Sequence, residues 1–443
     1  MTIPAKRLIV PVFGLLTIAL LAGCPPQGNG PTDPRVEPVD TQPSAEDKLA
    51  AQEAVEAIES LGGEIESGDD GMIVGVNLVG TGATDEDIKR ICGLDGLKGL
   101  TKLRIASPDV TDACMESIET LSALRVLDVG DCRVGDEGVA QLKGMQNLEE
   151  VKLTRTNVRD AGLKHLAELP NIKRVFLART YVTDDGVGEL AKQKTIELLD
   201  LRDCNLLSDK TLEHVKALEN LKSLKVWGPQ ISDDGMIHLC GLKKLKVLGL
   251  QDTAVGDAGL ACLKDMTTLE EIHFFRTTIG DEGLGALKGN TRMRVANLRD
   301  TQVSDDGMAH LRDMKELTTL DLSETGVGDD GMEHIKGLEK LNDLKLWFSF
   351  VGDAGVEHIS NLANLTRLNL EKTDLTDAGM EHVKKLKKLQ YLHIGSTQVT
   401  DTGLEHIKEL TDLKDLVLTF CPGVTETAVD DLKKALPELT VDY

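Results

Sequence analysis

A repeat of 24 residues is the feature that most constrains how this chain can fold. Equivalent apolar residues recur at this spacing from about residue 100 onward, as in the series Leu317, Leu341, Leu365, Leu389 and Leu413. There are 14 such units, and two of them, beginning at Ile196 and Leu413, carry one extra residue. Stacked units bury their apolar sides against each other and need no central core. The 443 residues therefore predict one elongated domain rather than two or three compact ones.

The hydrophobic period changes within each unit. The unit reads L-x-x-L-x-L-x-x-T-x-V-x-D-x-G-h-x-x-h-x-x-L-x-x, where h is apolar. The L-x-L part has the spacing of a strand, and the part after glycine has apolar residues three apart, which is helical spacing. Between them lies a helix-start signal such as Thr376-Asp377, because small polar residues satisfy free amides there and Asp suits the helix dipole. Each unit is predicted to hold one strand and one helix.

This unit closely resembles the leucine-rich repeats of the cysteine-containing, ribonuclease-inhibitor-like class. It is similar also to the lipobox-bearing leucine-rich-repeat lipoproteins of planctomycete-type bacteria. The resemblance covers roughly residues 73–441 and implies an α/β fold. That fold is a right-handed solenoid with a parallel sheet on the concave side and helices on the convex side. The resemblance is specific for the fold and carries almost no information about a ligand.

Both ends of the repeat region read as caps. Residues 45–61 have helical spacing and end at Gly62-Gly63, and a degenerate unit follows with Val76 and Leu78 in its strand. Residues 45–99 are therefore predicted to cap the solenoid of residues 100–443. At the far end, Leu436 and Leu439 begin a unit that stops after its strand. Counting both ends predicts about 16 parallel strands.

The first 24 residues read as an export signal. Lys6 and Arg7 precede an apolar run that is too short to span a bilayer comfortably. The run ends in Leu21-Ala22-Gly23-Cys24, which resembles the bacterial lipobox and implies lipid attachment at Cys24. The alternative is an ordinary signal peptide with a chance cysteine. Residues 25–44 are rich in Pro and polar residues and predict a disordered tether. Together these segments predict an exported protein, lipid-anchored to a bacterial membrane and facing the periplasm or the exterior.

The charge balance excludes one class of partner. The formal net charge is −24, whereas nucleic-acid binding requires clustered Lys and Arg against phosphates. The same balance argues against holding an anionic membrane surface by charge, so the predicted contact with a membrane is through the lipid alone.

Two repeated polar positions invite a metal-site interpretation. The aspartates at the helix starts are Asp112, Asp136, Asp160, Asp184, Asp209, Asp233, Asp257, Asp281, Asp305, Asp329, Asp353, Asp377 and Asp401. The histidines at one helical position are His165, His214, His238, His310, His334, His358, His382 and His406. Calcium needs several oxygen ligands in one loop, and zinc needs converging imidazoles. Each unit supplies only one of either residue, so helix capping and a repeat-consensus position are favoured, and no metal or cofactor is predicted.

Seven cysteines lie beyond Cys24. They are Cys92, Cys114, Cys132, Cys204, Cys240, Cys262 and Cys421. An odd number does not fit a full disulfide framework. Cys132, Cys204 and Cys421 replace the Thr of the repeat, which favours buried thiols. Whether Cys240 pairs with Cys262 is left open by the sequence.

Aromatic residues supply the candidate binding site. The chain is only 3% aromatic, yet most of its aromatic side chains fall in or just after the outward strand positions. The candidates, with the histidine on the strand of Phe275, are Phe176, Trp227, His273, Phe275, Trp347, Phe348, Tyr391 and Phe420. Exposed aromatic residues on a concave sheet suit a binding face. The alternative is that strands favour aromatic residues anyway and that neighbouring side chains cover them.

A column of charged residues runs beside the aromatic ones. Its members are Asp131, Arg155, Arg179, Asp203, Asp252, Arg276, Asp300 and Glu324. Mixed signs at one repeat position predict ion pairs between adjacent units. The alternative is that the column tunes the choice of partner.

The sequence thus predicts a protein-binding scaffold or receptor that uses the concave face of a solenoid. The alternative is a cell-envelope carbohydrate-binding protein that uses the same aromatic face, with Asn297, Asn369 and His393 as polar contacts. An enzyme is not predicted, since no catalytic motif stands out beside the repeats.

Overall fold

The computed structural model describes residues 44–443. The predicted export signal, the lipid-attachment residue Cys24 and all of the predicted tether but Ser44 lie outside the described residues. Among residues 44–443, no helix combines the length and the apolar character needed to cross a membrane.

The strands recur once per unit. Their bounds are β1 Glu64–Ser67, β2 Ile73–Asn77, β3 Lys102–Arg104, β4 Val126–Asp128, β5 Glu150–Lys152, β6 Arg174–Phe176, β7 Leu198–Leu201, β8 Ser223–Val226, β9 Val247–Gly249, β10 Glu271–His273, β11 Val295–Asn297, β12 Thr319–Asp321, β13 Asp343–Lys345, β14 Arg367–Asn369, β15 Tyr391–His393, β16 Asp415–Val417 and β17 Thr440–Asp442.

The helices alternate with the strands. Their bounds are α1 Ala45–Ser60, α2 Asp85–Cys92, α3 Met115–Glu119, α4 Asp136–Ala140, α5 Asp160–Leu166, α6 Asp184–Leu190, α7 Asp209–Val215, α8 Asp233–Met236, α9 Asp257–Leu260, α10 Asp281–Leu287, α11 Asp305–Met308, α12 Asp329–Ile335, α13 Asp353–Ile359, α14 Asp377–Val383, α15 Asp401–Ile407 and α16 Glu426–Ala435. Short 3₁₀ helices cover Asp95–Leu97, Asp112–Cys114, Gln141–Gly144, Ile237–Leu239, Ala261–Asp265 and Ala309–Leu311.

The sheet is parallel from β2 to β17, and each strand pairs with the next one along the chain. Equivalent residues of neighbouring units are in register, as in Leu320, Leu344 and Leu368. The predicted α/β leucine-rich-repeat solenoid is therefore confirmed, with 16 parallel strands. The additional strand β1 pairs with β2 antiparallel, and the sequence did not predict it.

The core is a stack of aliphatic layers between the sheet and the helices. In the unit that begins at Leu341, the three strand leucines and Val351 have no solvent exposure. Burying a leucine side chain contributes on the order of 2 kcal/mol. Phe274 is the largest side chain in this core and the one aromatic residue fully buried within residues 44–443. Every other aromatic residue of the described chain is thus at the surface or close to it.

The repeated aspartates join neighbouring units. Each of the 13 aspartates accepts a hydrogen bond of 2.6–2.8 Å from the backbone N–H of the residue just before the next unit's α-helix or helix-start position. The Oδ1 of Asp305, for example, accepts from Gly328 N–H at 2.7 Å and from Gly331 N–H at 2.9 Å. The aspartates therefore cap helix starts, as expected, but each one caps the helix of the next unit rather than its own. Each aspartate is the first helical residue, so its carboxylate reaches the helix start of the next unit.

A second contact between units is made by one residue per unit that lies shortly after the strand, in most units with left-handed backbone. We call these residues the edge row, and its members are Ser107, Asp131, Arg155, Arg179, Asp203, Gly228, Asp252, Arg276, Asp300, Glu324, Phe348, Lys372, Ser396 and Phe420. Twelve of them are not glycine and have φ between 53° and 62°. This conformation lets the backbone N–H of Glu324 donate to the carbonyl of Trp347 at 2.8 Å. The hydrogen-bond ladder of the sheet therefore continues one step past the strands.

The N-terminal end of the solenoid is covered by α1 and β1. Helix α1 begins with a capping box between Ser44 and Asp47 and buries Ala54 and Ile58. It packs on the 3₁₀ helix Asp95–Leu97, where backbone of α1 approaches Gly96 so closely that a Cβ there would lie 2.3 Å from the carbonyl oxygen of Ala50. At the other end, α16 covers the last layer and β17 closes the sheet.

The cysteines divide into two classes. Cys240 and Cys262 form a disulfide between adjacent units, with their Cα atoms 5.6 Å apart. The thiols of Cys92, Cys114, Cys132, Cys204 and Cys421 are buried, as the repeat position of three of them predicted. Burial raises the pKa of Cys92 to about 12 and that of Cys132 to about 11, so both are protonated and unreactive.

Candidate binding face

Three outward positions of each strand form the exposed face of the sheet. The first row is Lys102, Val126, Glu150, Arg174, Leu198, Ser223, Val247, Glu271, Val295, Thr319, Asp343, Arg367, Tyr391 and Asp415. The second row is Arg104, Asp128, Lys152, Phe176, Asp200, Lys225, Gly249, His273, Asn297, Asp321, Lys345, Asn369, His393 and Val417. The third row is Ala106, Gly130, Thr154, Ala178, Arg202, Trp227, Gln251, Phe275, Arg299, Ser323, Trp347, Glu371, Gly395 and Thr419.

The eight candidate residues lie on this face or at its edge, but in different rows. Tyr391 is in the first row, and Phe176 and His273 are in the second. The third row holds Trp227, Phe275 and Trp347. Phe348 and Phe420 belong to the edge row and are 61% and 87% exposed. The structure therefore brings the two tryptophans and Phe275 into one line and leaves the others spread along the solenoid.

Basic side chains cover the rings of the face. The cation-to-ring distances are Lys152 to Phe176 5.4 Å, Arg202 to Trp227 5.6 Å, Arg276 to Phe275 4.4 Å, Arg367 to Tyr391 4.3 Å and Lys372 to Trp347 5.5 Å. These five rings are half-buried. The expected row of openly exposed aromatic residues is thus wrong for them, because a cation lies over each ring, from a neighbouring unit in four cases and from Arg276 of the same unit for Phe275.

Arg299 contacts two aromatic rings of the third row and one carboxylate of the edge row. Its guanidinium lies 4.9 Å from the Phe275 ring and 4.7 Å from the Trp347 ring. It also donates to the carboxylate of Glu324, with Nε 2.8 Å from Oε1. Ser323, which lies between Arg299 and Trp347 in the row, is small enough to leave this path open. The indole Nε1–H of Trp347 is buried and has no hydrogen-bond partner within residues 44–443.

The charges of the face form pairs between units. In the edge row, Arg155 pairs with Asp131 at 2.5 Å, and Arg276 bridges Asp252 at 2.7 Å and Asp300 at 3.6 Å. These contacts confirm the predicted pairing between adjacent units. Since the side chains are roughly half exposed, each pair contributes less than about 1 kcal/mol.

The face is electrically balanced although the chain is strongly acidic. The three rows contain nine Lys or Arg residues and eight Asp or Glu residues, against a formal net charge of −24 for the chain. The excess of carboxylates therefore lies on the helices, the loops and the N-terminal part. An acidic partner would not be repelled by the face itself.

Two histidines of the second row have lowered pKa values. Burial, followed by the charges of Lys225 and Arg202, lowers the pKa of His273 to about 4. Burial also lowers the pKa of His393, against the opposing effect of Glu371. The ring Nδ1 of His393 lies 3.2 Å from the side-chain oxygen of Asn369. Neither histidine has converging metal-binding partners, and no group of three or more such ligands occurs among the residues that the structure describes.

Two exposed aromatic residues were missed by the sequence reasoning. Tyr181 and Phe350 are 52% and 69% exposed and follow the edge row by two positions. Each directly precedes the buried Val of its unit, as in Phe350-Val351. That position could have been recognised as outward-facing, since its neighbours on both sides, Ser349 and Val351, are buried.

Comparison with known families decides the classification. Residues 183–435 match the family described as "Leucine-rich repeat region", and residues 121–142 match a single "Leucine Rich repeat". The chain belongs to the leucine-rich-repeat family. A search of the curated proteins by sequence finds no match.

Solved structures show the same fold for this leucine-rich-repeat protein. An internalin from Listeria monocytogenes is 21% identical, with a TM-score of 0.57 over 80% of this chain and 98% of that one. A leucine-rich-repeat protein of Leptospira interrogans is 18% identical, with a TM-score of 0.54 over 83% and 95%. The ectodomain of the Arabidopsis receptor kinase HAESA, solved with the peptide hormone IDA, is 14% identical, with a TM-score of 0.52 over 89% and 76%. At these identities the likeness establishes the fold alone.

Proposed function

We propose that this protein is a membrane-tethered, extracytoplasmic scaffold that binds a protein partner through the concave face of its solenoid. The observation that carries the proposal is the third row, where Trp227 and the cluster of Phe275, Arg299 and Trp347 lie on one side of a rigid sheet. Trp and Arg are the residues that most often dominate the binding energy of protein interfaces.

Variation along the face supports the same conclusion. The inward rows and the helix-start aspartates repeat in nearly every unit, whereas the outward rows differ from unit to unit. A face with a different residue at each step can recognise one particular partner. The HAESA ectodomain, which has this fold, was solved with a bound peptide hormone.

The tether and the compartment rest on the N-terminal sequence. The proposed lipid on Cys24 and the Pro-rich residues 25–44 would hold the solenoid at a distance from a membrane. The disulfide between Cys240 and Cys262 supports an oxidising, extracytoplasmic location, where such bonds persist. Metabolic labelling with a fatty-acid analogue tests the lipid, since a Cys24→Ser variant should lose the label.

Carbohydrate binding is supported less well. Sugar rings stack on open aromatic platforms, yet the faces of Trp227, Phe275 and Trp347 already carry cations. A glycan would have to displace these side chains, whereas a protein partner can use guanidinium and ring together. We also propose no catalytic role, since the titratable residues of the face are spread along a line rather than gathered at one point.

A crosslinking pull-down from envelope extract tests the binding face. The baits are the full chain, the triple variant Trp227→Ala, Phe275→Ala, Trp347→Ala, and a matched triple variant Phe348→Ala, Phe350→Ala, Phe420→Ala. The second triple removes three more exposed rings at the edge of the sheet. A protein captured by the full chain and by the edge variant, but not by the third-row variant, supports the proposal. Capture that all three baits share would show that the partner binds elsewhere.

A further inference from the structure

One lysine of the binding face differs from every other cation there. Of the nine Lys and Arg residues in the three rows, eight lie within 4.0 Å of a carboxylate. The ninth is Lys225, which is half-buried and has no such partner among the described residues. A cation of the face without a counter-charge attracts an anionic group of a partner.

The nearest carboxylate in the same row is already engaged. Asp200 is the register partner of Lys225 on the neighbouring strand. It is only 2% exposed and is held by the guanidinium of Arg202, with Nε 2.8 Å from Oδ1 and Nη2 2.7 Å from Oδ2. Since Arg202 occupies both oxygens, Asp200 does not neutralise Lys225.

On its other side, Lys225 is next to a residue of the row that has no side chain, and we call this position the gap. The next residue of the second row is Gly249, and the one after is His273. A Cβ at Gly249 would lie 3.2 Å from Cγ of Lys225, so the lysine stem lies against the glycine. His273 is neutral at physiological pH, because burial and the two basic neighbours lower its pKa to about 4. At neutral pH, His273 therefore adds no charge beside Lys225.

The surroundings of the gap limit what can enter it. Trp227 and Phe275 lie two residues beyond Lys225 and His273 on the same face, so aromatic surface borders the gap toward the edge row. Glu271 precedes His273 by two residues on that face and forms no ion pair with Lys225 within 4.0 Å. One anionic group is attracted by Lys225, and a second one would meet the carboxylate of Glu271.

We propose that Lys225, Gly249 and His273 form a subsite for one acidic side chain of the protein partner. The carboxylate of a Glu or Asp pairs with Lys225 beside Gly249, and the neutral imidazole of His273 supplies a hydrogen bond. This inference rests on the proposed function and names the chemistry of the partner at one place on the face.

Matched peptides test the subsite on the full chain. The probes are N-acetylated, C-amidated dodecapeptides with a central Glu or Gln flanked by Leu and Tyr, applied as a set of sequence permutations. Binding is followed by the intrinsic emission of the two tryptophans of the chain, with both of them left in place. We expect the Glu peptides to bind about tenfold more tightly than their Gln partners, as a charge-assisted hydrogen bond implies.

Two lysine variants separate the subsite from general electrostatics. Lys225→Met should abolish the preference for Glu, whereas Lys345→Met in the same row should keep it, because Lys345 is paired with Asp321. If the chain with both lysines in place bound Glu and Gln peptides equally well, the inference would be overturned and the proposed function would stay intact. The inference would also be overturned if a Gln peptide with a free C-terminal carboxylate bound more tightly than the amidated Glu peptide. The anion would then be the end of a chain rather than an acidic side chain. Failure of every peptide to bind would overturn the subsite, whereas the proposed function is decided separately by the pull-down. Unfolding midpoints equal to those of the parent chain show that each variant is folded.

Discussion

Two regions of the same units follow opposite rules. At the helix starts, Asp305 accepts hydrogen bonds from Gly328 and Gly331 of the next unit, and the first of these bonds has an equivalent at each of the 13 repeated aspartates. On the sheet face of these units, Arg299 lies between Phe275 and Trp347, and this arrangement occurs once in the described chain. The repeated contact fixes how units stack, and the unique one leaves stacking unchanged. We therefore expect the positions that agree between units to carry stability, and the proposed function assigns recognition to those that differ.

Removing one of the repeated aspartate contacts should cause the largest loss of stability. We expect Asp305→Ala to lower the free energy of unfolding by about 2–4 kcal/mol, because two backbone donors lose a charged acceptor. Denaturant unfolding followed by far-UV circular dichroism measures the loss. The matched control is Asp306→Ala, which removes an exposed carboxylate at the next position. Similar midpoints for the two variants would show that the aspartate contact does not hold the units together.

Protonation of a face residue should have the second-largest effect. The pKa of His273 falls from 6.5 to about 4 in the folded chain, so the unfolded chain binds a proton more readily between these values. The stability that the neutral ring contributes is present above pH 6.5 and is lost as the pH falls toward 4. At pH 5 the loss should be about 2 kcal/mol.

A neutral substitute isolates this contribution. Between pH 7 and pH 5, a His273→Gln variant should lose about 2 kcal/mol less stability than the unsubstituted chain, as measured by denaturant unfolding at both values. The difference measured at pH 7 gives the cost of repacking alone. Parallel pH profiles would contradict the neutral, buried state of this ring. They would also remove one support of the Lys225 subsite.

Left-handed backbone at the edge row should respond to side-chain shape. Ser396 has φ of 56° and its N–H donates to the carbonyl of Thr419 at 2.8 Å. Ser396→Val should destabilise the chain by about 1–2 kcal/mol, because a β-branched side chain is strained there, whereas Ser396→Gly should be neutral or slightly stabilising. Thermal unfolding of the pair gives the sign. If Val were tolerated as well as Gly, the edge row would not constrain the backbone.

The repeated features could be predicted from the sequence, and the unique ones could not. The 24-residue period gave the strands, the helices beginning at the aspartates and the number of parallel strands, because burial and hydrogen bonding act in the same way in each unit. The pairing of edge-row charges followed from their spacing, as between Asp131 and Arg155. The partner of each aspartate did not, since it belongs to the next unit and lies 23 or 24 residues along the chain.

The binding face was predicted in position but not in detail. Sequence spacing placed Trp227, Phe275 and Trp347 in one row, yet it could not show which side chains lie over their rings. Arg299 reaches Trp347 only because Ser323 between them is small, and that choice of direction depends on packing across three units. The gap at Gly249 is similar, because a glycine in a strand indicates close approach without saying which side chain fills the space.

The contacts of Arg299, which occur once in the described chain, should contribute least to the free energy of unfolding. Their main effect should be on how far the Trp347 ring is exposed. The Arg299 side chain is 38% exposed, so its ion pair and its ring contacts contribute about 1 kcal/mol or less. Arg299→Met should therefore leave the unfolding midpoint nearly unchanged while uncovering the Trp347 ring. In a Trp227→Phe background, acrylamide quenching of Trp347 should rise on this substitution, whereas Arg312→Met on the convex side should not alter it. A stability loss as large as that of Asp305→Ala would mean that the sheet face also holds the units together. The division between a structural and a recognition side would then not apply to this solenoid.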